Sequence, residues 1–197
     1  LTAEQKRIVS ILKGNSRRLQ DLIEGLLRLQ QAGHAAERIG FETLRFDNLI
    51  KEVIETSQLI AAERGIQFDP ALAETGIVAG REALMTIAHN LLSNAIKFSP
   101  DNGIIKITLT HDAQQATLDV EDQGTGVTAQ DAPRIFEPFY RSNASRHVAG
   151  VGLGLAIARE FLAAHRGEIK LVPSTTGAHF RVVLPLKAPF LREAVNA

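Results

Sequence analysis

"HNLLSNAIKF", residues 89–98, is the stretch whose reading decides the fold. Leu84, Ala88, Leu91, Ala95 and Phe98 recur four and three apart, which predicts a helix over 81–97 with one buried face. Asn90, Asn94 and Lys97 share a second stripe of the same helix. Asparagine is a poor helix former, and two of them a turn apart cost roughly half a kcal/mol each. A ligand would offset that cost. An Asn oxygen is a hard, neutral donor that suits a Mg²⁺ octahedron beside phosphate oxygens and waters, and Lys97 brings a point charge for phosphate. A solvated helix face is the plainer reading of the same three residues.

Further along, "EDQGTGV" (121–127) sets Asp122 at the end of a predicted strand, with Gly124 and Gly126 behind it. Glycines there let the backbone take positive φ and approach a flat ligand. A carboxylate accepts from the exocyclic amine of adenine and repels the carbonyl oxygen of guanine, so Asp122 would select ATP over GTP. The same pattern also reads as an ordinary turn. In "GVGLGLAIA" (150–158), Gly150, Gly152 and Gly154 open a helix whose backbone N–H groups suit an anion. The spacing is neither that of a dinucleotide fold nor that of a P-loop, and a glycine-packed helix is the alternative. Between the two glycine stretches lies "RIFEPFYRSNASRHVAG" (134–150), where Ile135, Phe136, Phe139 and Tyr140 anchor a candidate lid. Arg134, Arg141, Arg146 and His147 are its candidate phosphate contacts.

Composition bounds these readings. The 197 residues are 45% hydrophobic and 22% charged, enough for a packed core. Basic and acidic residues both number 22, so bulk electrostatics does not suggest a nucleic-acid partner. Absence of cysteine rules out disulfides and thiolate metal sites. No apolar run approaches the ~18 residues of a membrane span, and "LTAEQKRIVS" lacks the apolar core of a signal peptide.

Residues 3–33 read as one long helix in which Ile8, Leu12, Asn15, Leu19, Leu22, Leu26 and Leu29 form a heptad seam, widened by Ile11 and Ile23. Self-association or docking through this seam is expected; folding back on the rest of the chain is the alternative. Gly33 and Gly40 break the pattern, so 34–45 is read as a linker. A helix with Leu49, Val53, Ile54 and Ile60 on one face follows, capped by Asp47 and Gly65. "IQF" and "GIVAG" are short strands, "GIIKITLTHD" and "QATLDVED" a hairpin, 123–149 a long loop, 151–166 a helix and 178–186 a last strand. The division is 1–33, 34–45, 46–187 and a tail over 188–197.

In order and separation, the four stretches resemble the N box, first glycine box, F box and second glycine box of sensor histidine kinases. "LTAEQ" and "RLQDLIEGLL" resemble the second helix of that family's dimerisation hairpin. The resemblance implies an α/β (α+β) two-layer sandwich of a mixed sheet and three helices, the Bergerat ATP-binding fold shared with gyrase and Hsp90, preceded by one long helix. It implies a kinase core that binds ATP with Mg²⁺. In the complete protein the γ-phosphoryl would pass to a histidine and then to an aspartate of a response-regulator receiver domain. By the same resemblance Asn94 would hold the metal with Asn90 assisting, and Lys97 would meet phosphate. Phe98 would pack near adenine, Asp122 would accept its amine, and Gly124 and Gly126 would shape the base pocket. Gly150, Gly152, Gly154 and Leu155 would line the phosphate side, with Phe139, Arg141 and Arg146 in the lid. A homodimer through the hairpin and a cytoplasmic position in a protein anchored in the bacterial inner membrane are also implied.

Three departures from the family pattern stand out. None of the histidines at 34, 89, 111, 147, 165 and 179 has the acceptor's context, so the chain is read as starting after the acceptor helix, with no catalytic residue of its own. Gly80 stands where an aspartate commonly caps the Asn-bearing helix, and Ala178 where a hydroxyl is common. In the hydrolytic relatives a glutamate one turn before the metal Asn activates water. Asn90 holds that place here and takes no proton at neutral pH, so fast hydrolysis is not expected.

Overall fold

The apolar stripe over 81–98 folds as the sequence predicts. In the computed structural model, which describes residues 2–33, 39–142, 148 and 150–187, it forms a helix at the centre of the core. In chain order the elements are α1 (Ala3–Gly33), β1 (Phe41–Arg45), α2 (Phe46–Ala62), β2 (Gln67–Leu72), β3 (Gly76–Gly80) and α3 (Arg81–Phe98). They continue with β4 (Ile104–His111), β5 (Gln115–Glu121), α4 (Gly154–Ala164), β6 (Glu168–Val172) and β7 (His179–Pro185).

Five strands make a mixed sheet in the order β2-β4-β5-β7-β6. Only β2 and β4 run parallel; the other neighbours are antiparallel. Along β4, Ile105, Ile107 and Leu109 alternate inward, and Leu118 and Val120 on β5 and Val182 and Leu184 on β7 do the same. Opposite them lie Leu49, Ile50 and Val53 of α2, Leu84, Ile87, Leu91 and Leu92 of α3, and Ala158 and Leu162 of α4. One sheet face is thus buried under three helices, the two-layer arrangement expected. The hairpin turns where the sequence placed it, with Asp112 accepting from the Gln114 and Gln115 amides.

Three local expectations are corrected. The predicted linker over 34–45 contains strand β1, which pairs antiparallel with β3 and puts Phe41 opposite Gly80; residues 34–38 lie outside the described residues. Asp47 is not the cap of α2, because Arg45 occupies that position without a side-chain cap bond. Asp47 instead sits fully buried one residue inside the helix, accepting from the Thr75 amide at 3.1 Å, from Arg45 at 2.8 and 3.0 Å and from Lys51 at 3.3 Å. Ile60 points outward, 59% exposed. At the other end of α2 the expected glycine holds: Gly65 is left-handed, and the Ile66 amide bonds back to Ala61 O. The tail over 188–197 lies outside the described residues.

Helix α1 packs on α4 near Gly25, where an added Cβ would stand 2.5 Å from Leu153 Cδ1. Yet Ile8, Leu12, Leu19, Ile23 and Leu26 stay exposed. Folding back and leaving a free seam are therefore not exclusive. Among the described residues, no helix is long and apolar enough to cross a membrane.

Candidate functional site: a cleft between two antiparallel helices and a glycine-rich lid

Helix α3 carries the amide stripe into a cavity of about 550 Å³. Both of its ends are held. At the start, the Gly80 amide donates to His165 Nε2 at 3.0 Å, and no side chain caps the helix, as the Gly80 substitution leads one to expect. At the end, Arg64 donates to Ile96 O at 2.5 Å and to Ser99 O at 2.8 Å, which occupies the terminal carbonyls and places a cation at the negative helix end.

Between those ends Asn90 and Lys97 reach the second glycine stretch. Asn90 Oδ1 lies 3.0 Å from where a Cβ of Gly154 would stand, and Lys97 Nζ lies 3.8 Å from that of Gly150. Among the described residues, the buried Asn90 Nδ2 has no hydrogen-bond partner. An orphaned buried donor costs about 1–3 kcal/mol, so this amide is held in the cavity wall at a loss. Asn94, Phe98 and Ser93 complete the wall from α3. Phe98, read as buried, is 36% exposed at the rim.

The opposite wall comes from the end of β5 and the start of β7. Asp122 is 4% exposed, and its Oδ1 accepts from the Gly124 amide at 2.8 Å and the Ala178 amide at 3.0 Å. Among the described residues its Oδ2 accepts nothing, and the residue lines the cavity. Burial pushes the carboxyl above the usual carboxylate range, opposed by those two N–H donors. Gly126 takes φ +69° and lies with Val127, Ile135 and Phe180 along the same wall. Phe136 meets Phe180 edge-to-face, ring centres 6.4 Å apart, which seats the lid on the sheet.

The lid is pinned to the glycine stretch. Phe139, left-handed at φ +64°, donates its amide to Gly152 O at 2.9 Å. Gly152, at φ +80°, has no room for a side chain, since a Cβ would stand 2.7 Å from Tyr140 O. Arg141 donates to Gly150 O at 2.9 Å and Val148 O at 2.5 Å. Helix α4 then begins at Gly154.

The cleft thus gathers Asn90, Asn94, Lys97, Phe98, Asp122, Gly126, Arg141, Gly150, Gly152, Gly154 and Leu155. Gly124 is outside its wall and acts through the Asp122 bond, where a Cβ would run into Phe98 O. Phe139 is also outside, 48% exposed. Arg146 and His147 lie outside the described residues, and His89 is exposed away from the cleft wall. Sequence reasoning missed Thr128, Asp131 and Tyr140 as a linked set. Asp131 accepts from Tyr140 Oη at 2.6 Å and Thr128 Oγ1 at 2.7 Å, and the Arg134 guanidinium covers the Tyr140 ring at 4.3 Å. Only their position between the glycine stretches signals them. It also missed Glu24 and Gly25 of α1 at the cavity edge, which no local pattern marks.

Residues 79–188 match the family described as "Histidine kinase-, DNA gyrase B-, and HSP90-like ATPase". The chain is 36% identical over 190 residues to the sensor histidine kinase GlrK of Escherichia coli, an overlap of 94% of this chain and 39% of GlrK. It is 34% identical over 182 residues to the phosphate regulon sensor protein PhoR of Pseudomonas aeruginosa, covering 88% of this chain and 41% of PhoR. The chain therefore spans about two fifths of the length of these relatives. Among solved structures, full-length ShkA in complex with AMPPNP superposes with a TM-score of 0.79 at 29% identity, over 95% of this chain and 40% of that one. The family match covers the amide stripe, both glycine stretches and the lid, and the chain belongs to this ATPase family as the ATP-binding catalytic domain of a two-component sensor histidine kinase.

Proposed function

We propose that the cleft holds Mg-ATP and that the whole protein uses it to phosphorylate a histidine, from which the phosphoryl group moves to an aspartate of a response regulator. The observation that carries the reading is the asymmetry of Asp122 in the cavity wall: one oxygen accepts from two backbone donors, and the other has no partner among the described residues. Such an acceptor fits the amine at C6 of adenine and disfavours a carbonyl there. Lys97 and the backbone N–H groups at the start of α4 suit the triphosphate, and Arg141 and Arg146 would meet it from the lid.

The donor set also fits a magnesium ion. Asn90 and Asn94 offer neutral amide oxygens one turn apart in the cavity wall, and among the described residues the buried Asn90 amide nitrogen has no partner. Bound there, Mg²⁺ supplies charge neutralisation on the phosphate oxygens. The protein's own part is positioning: Lys97 neutralises, Asp122 fixes the base, and the lid excludes water. When an imidazole nitrogen attacks the γ-phosphorus, the bond to the bridging oxygen breaks and ADP leaves with that electron pair. The acceptor histidine, the receiver domain, the dimer through the hairpin and an inner-membrane anchor all belong to the proposal for the whole protein.

The test is titration of a fluorescent ATP analogue, with Mg²⁺ and with chelator, into wild type, Asp122→Asn and Asn94→Ala. We expect Mg²⁺-dependent binding, a loss of about tenfold or more for Asp122→Asn, and a smaller Mg²⁺ increment for Asn94→Ala. Equal affinity in Asp122→Asn removes the base assignment; no binding by wild type removes the whole reading.

A further inference from the structure

Gly177 belongs to none of the four stretches that mark the site, yet it presses on the residue at the site's centre. It takes φ +67° in the turn between β6 and β7. A Cβ there would run into the Asp122 backbone carbonyl and stand 2.6 Å from Asp122 Oδ1. Its own carbonyl oxygen lies 2.9 Å from where a Cβ of Gly126 would be. The turn therefore sits flat against Asp122 on one side and against the first glycine stretch on the other. That closeness brings the Ala178 amide to 3.0 Å from Asp122 Oδ1, while the Asp122 amide donates back to Ala178 O at 3.0 Å. The turn closes on itself through Ser174, whose Oγ donates to Thr176 O at 2.7 Å and accepts from the Thr176 amide at 3.2 Å.

We propose that Gly177 is a positioning residue for base selection: the missing Cβ lets the turn clamp Asp122 Oδ1, so that only Oδ2 is presented to the nucleotide base. This rests on the reading of Asp122 as the base acceptor. Two N–H donors on Oδ1 fix the rotation of the carboxyl group, and a fixed acceptor discriminates between an amine and a carbonyl better than one free to rotate away. With a side chain at 177, the turn lifts, the Ala178 donor withdraws, and the carboxyl turns to relieve its repulsion from a carbonyl at C6.

The test compares the affinities of ATP and inosine triphosphate, which replaces the C6 amine by a carbonyl, for wild type, Gly177→Asn, Gly177→Ala and Asp122→Asn. Asn tolerates a left-handed backbone, so Gly177→Asn isolates the Cβ contact from φ strain. The readout is the ratio of the two dissociation constants. A substitution that only lowers the folded fraction scales both constants alike and leaves the ratio unchanged. We expect wild type to favour ATP by about tenfold or more, Asp122→Asn to abolish the preference, and both Gly177 variants to reduce it to within about threefold. A wild-type ratio in both Gly177 variants, with the preference lost in Asp122→Asn, overturns the role of Gly177 and leaves the base reading standing. A preference retained in Asp122→Asn overturns both.

Discussion

Asp47 and Asp122 are both buried carboxylates, and the difference between them is what their second oxygen does. In Asp47 both oxygens are occupied, by the Thr75 amide, Arg45 and Lys51. The paired Arg45 guanidinium holds its carboxyl well below the usual carboxylate range. Its contribution is therefore to stability: Asp47→Ala costs about 2 kcal/mol in urea unfolding and leaves nucleotide affinity unchanged. Because the folded value is depressed, that contribution is present above about pH 4 and lost as pH falls below it. His165 is a second buried titrating group. Burial pushes it below its ordinary value, its Nδ1 donates to Phe161 O at 2.7 Å, and its Nε2 must stay unprotonated to accept from Gly80. A depressed folded value means stability is lost as pH drops below about 6.5. The urea midpoint is expected to fall between about pH 7 and pH 5, and His165→Gln, which does not titrate there, is expected to flatten that slope. An unchanged slope in the variant would assign it to other groups.

Among the elements, the lid and α1 carry the sharpest expectations. Gly152→Ala forces a Cβ against Tyr140 O at a positive φ, a strain of about 1–2 kcal/mol. Because Gly152 also receives the Phe139 amide, the strain falls on the lid, and Mg-ATP affinity should drop about tenfold. The exposed Leu12 and Leu19 of α1 should drive association. Sedimentation is expected to show a dimer that Leu12→Asp with Leu19→Asp makes monomeric. Elements with strong periodicity were legible in the sequence: α1, α3, the β4–β5 hairpin and α4 stand within a few residues of their predicted bounds. Strand β1 was not, because Phe41–Arg45 has only two partly buried apolar positions and takes its identity from pairing with β3. Strand β6 follows so soon on the end of α4 that no separate signal marked it. The lining of the cleft was legible where residue type and spacing coincide, as at Asn90, Asn94, Asp122, Gly126, Gly150, Gly152 and Gly154. It was not legible where a contact spans the chain, as between Gly177 and Asp122.

Across the whole molecule, the proposed function makes the amide at position 90 the residue that separates holding ATP from spending it. No carboxylate stands one turn before Asn94 to take a proton from water. Purified chain with Mg-ATP is expected to release phosphate no faster than the buffer blank; steady release would place it with the hydrolytic members of its family. The helices that frame the cleft come together at two points. The Gly80 amide bonds His165 at one end, and at the other Asn90 Oδ1 lies 3.0 Å from where a Cβ of Gly154 would stand. The intervening stretches of ten and eleven residues span about 15 and 16.5 Å, so the pair is matched in length. Deleting one residue between those two points would swing everything beyond it by about 100° around the helix axis, carrying the cleft-lining amides toward the core. The same deletion in the Asp112–Gln114 turn would disturb only a hairpin tip, which makes this protein's tolerance of gained or lost residues a direct ruler of where its two helices meet.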